Sequence, residues 1–131
     1  MVILIDASVF CSYFNEDDVH HAKATDIMKG IITNENAITT DYIFDETITV
    51  IQRRTNKEIA VESGNFILES EISIFEIDNL VFQKAWGIFK QNNSFSFTDC
   101  ASIASMQIFG ISKIATFDKE FKKMKDIEVI S

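Results

Sequence analysis

The 131-residue sequence has no proline, four glycines, two cysteines and no long apolar run. Its first apolar run extends only from Met1 to Ile5 and stops at Asp6. A membrane span needs about 20 apolar residues, and the core of a signal peptide needs at least about seven. We therefore expect a cytoplasmic protein without a membrane segment, whose mature chain begins at its first strand.

Thiol and imidazole groups are too few for a disulfide framework or a zinc site. Cys11 and Cys100 form no CxxC pair, so we expect two reduced and buried thiols. His20 and His21 are adjacent, and no third histidine or close cysteine pair completes a set of zinc ligands. We interpret this histidine pair as the exposed start of a helix.

Basic residues are also scarce, with 12 against 20 acidic residues, a net charge of −8 and a pI near 4.6. This charge repels nucleic acid and favours metal ions or basic partners. The repulsion is weaker if the acids surround a metal ion while the cations cluster elsewhere. Two clusters exist, although both also fit solvated helix ends: Arg53, Arg54 and Lys57; and Lys119, Lys122, Lys123 and Lys125.

What remains is an apolar chain (47% hydrophobic, 24% charged) of a size that fits one domain, residues 1–131. Strands are predicted at residues 2–5, 37–39, 72–77, 113–117 and, as an edge strand, 127–130. Helices are predicted at 19–32, 41–54, 57–68, from a cap at Asp78 or Asn79 to 91, and from an N-cap at Thr98 to 109. Gly110 would close the last helix. This alternation predicts a three-layer α/β/α domain with a mainly parallel sheet of four to five strands.

Acidic residues follow two of the apolar runs and also lie on two helices. Asp6 follows the first strand and Asp118 follows Ile114-Ala115-Thr116-Phe117, so both should reach the rim formed by the strands' carboxyl ends. Asp99 lies in the first turn of a helix, and Glu46 lies on a helix face that should meet the sheet. Such clustered carboxylates repel one another unless a cation neutralises them. The pattern therefore predicts an enzyme that binds Mg²⁺ or Mn²⁺.

Each acid also has an ordinary structural explanation. Asp6 could begin a turn, Asp118 could cap a short helix, and Asp99 could favour the helix dipole. Glu46 is harder to explain in this way, because no lysine or arginine lies three or four residues away on its helix. A shift of one residue in helix phase would instead turn inward Asp45, with Asp41 as a further alternative.

The order and spacing of these motifs resemble those of the PIN-domain ribonucleases. The resemblance rests on Asp6-Ala7-Ser8, Asp45-Glu46-Thr47, the segment from Phe97 to Ser102, and Thr116-Phe117-Asp118 followed by Phe121. It covers nearly the whole chain, including the helix pair after Glu46. Small stand-alone PIN domains of this size are similar to the VapC toxins, which cleave RNA and are silenced by an antitoxin.

The resemblance implies an acidic quartet, supporting hydroxyl groups and a fold of the PIN type. The quartet would be Asp6, Glu46, Asp99 and Asp118, with Ser8, Thr98 and Thr116 as supporting groups. It implies one or two Mg²⁺ or Mn²⁺ ions, cleavage of RNA by a metal-activated water to 5′-phosphate and 3′-hydroxyl ends, and a cognate antitoxin as partner. Candidate substrate-binding cations are Arg53, Arg54, Lys57 and Lys119.

Two other functions fit a chain of this class. Aspartyl-phosphate chemistry, as in haloacid-dehalogenase-like phosphatases or receiver domains, needs further acids near the first strand, where this chain has Ser8. A protein-binding module is the other alternative, because some of the 12 phenylalanines could form an interface. We also expect a homodimer, since Phe10, Tyr13 and Phe14 could exceed what one core needs.

Overall fold

The five strands form one parallel sheet. The structure, a computed structural model, describes residues 1–34 and 36–131. The strands are β1 (Val2–Ile5), β2 (Asn36–Thr40), β3 (Ser73–Phe75), β4 (Lys113–Ala115) and β5 (Glu128–Ile130). Their order across the sheet is β3-β2-β1-β4-β5, and every neighbouring pair is parallel. The predicted sheet is confirmed, with β5 at an edge.

In the described residues, six α-helices connect the strands. They are α1 (Ala7–Phe14), α2 (His21–Asn34), α3 (Asp41–Arg54), α4 (Lys57–Glu69), α5 (Asn79–Gln91) and α6 (Phe97–Phe109), and a 3₁₀ helix covers Lys119–Lys123. None of the helices in residues 1–34 and 36–131 has the length and apolar character needed to cross a membrane.

The strand order reverses beside β1, and this creates a crevice in which a ligand can bind. The connections from β1 to β2 and β3 move one way across the sheet, whereas β4 and β5 lie on the other side of β1. Right-handed crossovers then place α1 to α4 on one face and α5 and α6 on the other. Contacts among α1 to α4 and between α5 and α6 agree with this arrangement, which is the predicted three-layer fold. Ligands of such sheets gather beyond β1, where the strand order reverses.

The central strand has no face exposed to water. Ile3, Leu4 and Ile5 are 3%, 0% and 0% exposed, as expected for a parallel strand that helices cover on both sides. Cys11 and Cys100 are both free thiols and both buried, as predicted. The strand's carboxyl end therefore delivers Asp6 from a fixed position.

Two local expectations were wrong. Phe10 lies in the core with no exposed surface, within a helix, α1, that was not predicted. Tyr13 and Phe14 are half-buried and pack against that core, so only part of the apolar surface on which the dimer was predicted remains exposed. The N-cap of α6 is Ser96 rather than Thr98, because the Ser96 hydroxyl is the group that accepts the backbone N–H of Asp99.

Strand ends also differ from the prediction. β4 stops at Ala115, so Thr116 and Phe117 belong to the loop that follows it. β3 is confined to Ser73–Phe75, shorter than the predicted 72–77. Both changes leave more loop at the carboxyl rim of the sheet.

Candidate active site

A cavity of about 420 Å³ opens at the carboxyl end of β1. Asp6, Glu46, Asp99 and Asp118 all line it, although they come from four separate segments of the chain. Ser8 lines it as well. Its other contributors include the end of α1, the loop before α2 and the inner face of α3.

Asp6 is the most deeply placed of the four acids, with 5% of its surface exposed. Its Oδ2 accepts hydrogen bonds from Thr116 Oγ1 at 2.8 Å and from Ser8 Oγ at 3.0 Å. Burial raises the pKa of Asp6, while these hydroxyl groups act in the opposite direction. The loops after β1 and β4 are thereby tied together, since Ser8 Oγ also accepts the N–H of Phe117 at 3.0 Å.

Glu46 reaches the cavity from the middle of α3. Burial raises its pKa to about 7, and the charges of Asp6 and Asp99 add to this rise. The alternative acids are elsewhere: Asp45 is exposed, and Asp41 Oδ1 accepts the backbone N–H of Ile77 at 3.0 Å. Glu46 is therefore the acid of α3 that faces the site.

Asp99 combines a structural role with a place in the cavity. Its Oδ2 accepts the N–H of Ser96 at 3.2 Å, and its own N–H donates to Ser96 Oγ at 3.1 Å, which completes a capping box. Burial is the main cause that raises the pKa of Asp99 to about 6, and the charge of Asp6 adds to this rise. The hydrogen bonds with Ser96 oppose this rise in the pKa and offset only part of it.

Asp118 also has two roles. Its Oδ1 accepts the N–H of Glu120 at 2.9 Å and so caps the 3₁₀ helix, as the structural interpretation predicted. Its N–H donates to Thr116 Oγ1 at 3.0 Å, which connects it to the hydroxyl that binds Asp6. Thr98, in contrast, lies in the first turn of α6 and does not line the cavity.

The chemistry of these donors fits a hard divalent cation that keeps part of its water shell. None of the four acids forms an ion pair with a residue in the described ranges. Within those ranges, no three acidic, histidine or cysteine side chains stand close enough to hold an ion on their own. Mg²⁺ is commonly bound by one or two carboxylates with several waters, so it does not need such a cage.

Among the predicted cations, only Arg54 lines the cavity. Arg53 and Lys57 are exposed at the junction of α3 and α4, and Lys119 is exposed beside Asp118; all three lie outside the lining. The cavity wall thus combines an acidic floor with one guanidinium group.

Sequence reasoning missed several lining residues, chiefly Ser96, Asp18, His20 and Phe117. The spacing of Ser96 and Asp99 is that of a capping box and could have identified Ser96. His20 is exposed just before α2, as predicted, yet its ring stacks on that of Phe117 with 4.9 Å between centroids. No sequence pattern indicates that contact, because it depends on the path of the loop before α2.

Comparison with known proteins agrees with the fold. Residues 3–127 match the model of the PIN domain. The chain is 24% identical over 130 residues to the 23S rRNA-specific endonuclease VapC20 of Mycobacterium tuberculosis, with 98% of each chain covered.

Solved structures share the fold at low identity. The crystal structure of Mycobacterium tuberculosis VapC20, described as a Sarcin-Ricin loop cleaving toxin, has a TM-score of 0.88 at 23% identity, over 97% of this chain and 98% of that one. VapBC2 from Rickettsia felis, bound to a DNA fragment from its promoter, has a TM-score of 0.74 at 10% identity, over 99% and 98%. A toxin–antitoxin complex from Klebsiella pneumoniae has a TM-score of 0.71 at 10% identity, over 98% and 96%. With its match to the family model over nearly its whole length, this chain belongs to the PIN-domain family.

Proposed function

We propose that the protein is a metal-dependent endoribonuclease that hydrolyses phosphodiester bonds of RNA. The observation that carries this proposal is the convergence of Asp6, Glu46, Asp99 and Asp118 on one cavity, where none of them has a cationic partner among the described residues. Burial raises the pKa of Asp6, Glu46 and Asp99, and the charge of Asp6 adds to the rise for Glu46 and Asp99. A divalent cation would relieve that repulsion.

The four acids would share the work unequally. Asp6 and Asp99 would hold Mg²⁺ or Mn²⁺ directly, Glu46 directly or through water, and Asp118 in an outer position or at a second ion. Such an ion, when bound, activates a water molecule for in-line attack on phosphorus and stabilises charge on the leaving oxygen. Ser8 and Thr116 would fix the orientation of the Asp6 carboxylate, as supporting groups at metal sites do.

Substrate would approach along the basic side of the cavity. Arg54 would bind a phosphate beside the reacting one, because a guanidinium group offers two parallel donors to phosphate oxygens. Arg53, Lys57 and Lys119 lie farther out and would add only screened attraction to the rest of the RNA.

We further propose that the protein is the toxin of a type II toxin–antitoxin pair and acts in the cytoplasm. Its relatives support this role, since VapC20 is described as a toxin and several structures with the same fold are toxin–antitoxin complexes. The partner would be a cognate antitoxin. A homodimer also stays a prediction.

Aspartyl-phosphate chemistry receives no support from the site. The position two residues after Asp6 is Ser8, whose hydroxyl is already engaged by Asp6 and by the N–H of Phe117. A purely protein-binding role would leave the convergence of four acids without a purpose.

The proposal is tested by Asp99→Asn, with Asp26→Asn as a control that removes the same charge from the exposed side of α2. An asparagine retains an oxygen for the Ser96 cap, so the metal-free fold should melt at the same or a higher temperature. Mg²⁺-dependent cleavage should fall by at least about 100-fold, because even supporting groups at metal sites contribute about 10- to 100-fold. Cleavage by Asp99→Asn at the rate of the control would refute the proposal.

A further inference from the structure

Two aromatic rings, those of His20 and Phe117, form part of the cavity wall. His20 precedes α2 and Phe117 follows β4, so the rings come from distant parts of the sequence. Their centroids are 4.9 Å apart and their planes differ by 26°, which is a stacked arrangement. Both residues line the same cavity as the four acids.

Hydrogen bonds of the backbone position the two residues and leave the faces of their rings free of hydrogen bonds. The N–H of Phe117 donates to Ser8 Oγ, so the backbone that carries this ring is connected to Asp6 and Asp118. The N–H of His20 donates to Asp18 Oδ1 at 2.8 Å, and the neighbouring His21 Nδ1 lies 2.9 Å from the carbonyl oxygen of Ser12 on α1. Phe117 is half-buried and His20 is exposed, so the outer ring has a side open to solvent.

A nuclease that holds one phosphate at the acids must also place the bases next to it. Within the described part of the chain, His20 and Phe117 are the aromatic side chains that line the cavity. Proteins bind unpaired bases by stacking them on aromatic or histidine rings, and every base has a face that can do so.

We infer that the His20–Phe117 pair is the stacking platform for an unpaired base beside the reacting phosphate. This inference rests on the proposed ribonuclease function and assigns a part of the substrate to a part of its site. A base in a continuous duplex is already stacked on its neighbours, so the platform favours single-stranded or looped RNA. His20 is then a positioning residue, which acts on substrate binding rather than on the chemical step.

The test uses an RNA oligonucleotide whose cleaved bond has first been mapped with the wild-type protein. His20→Ala should raise KM by about 5- to 150-fold, the range expected from base–aromatic stacking, with little change in kcat. His20→Phe keeps a flat ring and should restore KM. Phe109→Ala is the matched control, because Phe109 is an exposed ring stacked on Phe75 with 4.9 Å between centroids, at the opposite end of α6.

A second substrate separates stacking from a general structural effect. The same RNA is made with an abasic nucleotide on one side of the cleaved bond and then on the other. At the position whose base stacks, removal of that base should raise the KM of wild type by the same factor as His20→Ala does on intact RNA. The KM of His20→Ala should not rise further when that base is removed. Equal KM values for wild type and His20→Ala on intact RNA, or full additivity at both abasic positions, would overturn the inference.

The two proposals can fail separately. If wild type cleaves RNA and Asp99→Asn does not, while His20→Ala behaves as wild type, the ribonuclease function stands and only the platform is wrong. If wild type cleaves no RNA with Mg²⁺ or Mn²⁺, both are wrong.

Discussion

At the scale of single residues, the acids of the cavity differ in what stabilises their charge. Asp6 is the most buried of the four, yet two hydroxyl groups donate to it. Glu46 receives no such donor from the described residues and faces Asp6 and Asp99 instead. The ionised state of Glu46 therefore depends most strongly on a bound cation.

This difference predicts how stability changes with pH in the absence of metal. The pKa rises from its ordinary 4.5 to about 7 for Glu46 and from 3.8 to about 6 for Asp99. At a pH between the ordinary and the raised pKa of each acid, the folded protein holds more protons than the unfolded chain. The free energy of unfolding therefore decreases as pH increases in this range. The stabilisation is complete below about pH 4 and is lost as pH rises through 6 and 7.

Thermal melts of metal-free protein between pH 5 and 8 measure this effect. The melting temperature should decrease as pH increases, and this decrease should be smaller in Glu46→Gln. Addition of Mg²⁺ should raise the melting temperature more at pH 8 than at pH 5. A Glu46→Gln curve parallel to that of wild type would show that Glu46 is not the group responsible.

The order of the elements in the sequence predicted that Asp6 and Asp118 would meet, because both follow predicted parallel strands whose carboxyl ends share one rim. Glu46 was identified from the phase of its helix. His20 could not be identified, because an exposed residue in a loop carries no periodic signal and its contact with Phe117 spans almost the whole chain.

At the scale of elements, the longer helices were predictable and α1 was not. At eight residues, α1 is shorter than the window of about 11 residues in which a helical period can be recognised. Its N-cap, Asp6, makes no capping hydrogen bond, because its carboxylate is turned toward Thr116 and Ser8. Asp6 therefore faces the cavity and does not give the helix start the capping contact that a sequence prediction relies on.

Two glycines in helical segments should respond to alanine in opposite ways. Gly30 lies within α2, and a Cβ there would meet no atom within 4 Å, so Gly30→Ala should stabilise the fold by about 0.5–1 kcal/mol. Gly110 closes α6 with φ of 68°, so Gly110→Ala should cost about 1 kcal/mol or more. Urea unfolding measures both. A stabilising effect of Gly110→Ala would contradict the assigned C-cap.

At the scale of the whole molecule, the net charge of −8 opposes RNA binding. Two features of the site would reduce this repulsion. The four acids line one cavity, where divalent ions would neutralise them, and Arg54 lines the same cavity. Composition alone could not show that arrangement, because it counts charges without their positions.

Arg54 should therefore contribute to the salt dependence of cleavage. If it binds one phosphate, Arg54→Ala should reduce the slope of log(kcat/KM) against log of monovalent salt by about 0.7 at fixed Mg²⁺. Lys29→Ala, which removes an exposed cation from α2, should leave the slope unchanged. Identical slopes for Arg54→Ala and wild type would exclude the contact with phosphate.

The central claim is that side chains from distant segments together bind a hard divalent cation. Anomalous diffraction from a crystal soaked in Mn²⁺ tests it most directly. The account predicts a peak in the cavity between the carboxylates of Asp6 and Asp99, with Glu46 nearby, and the number of peaks gives the number of ions. A map with no peak in that cavity, or with Mn²⁺ only at other surfaces, would contradict it.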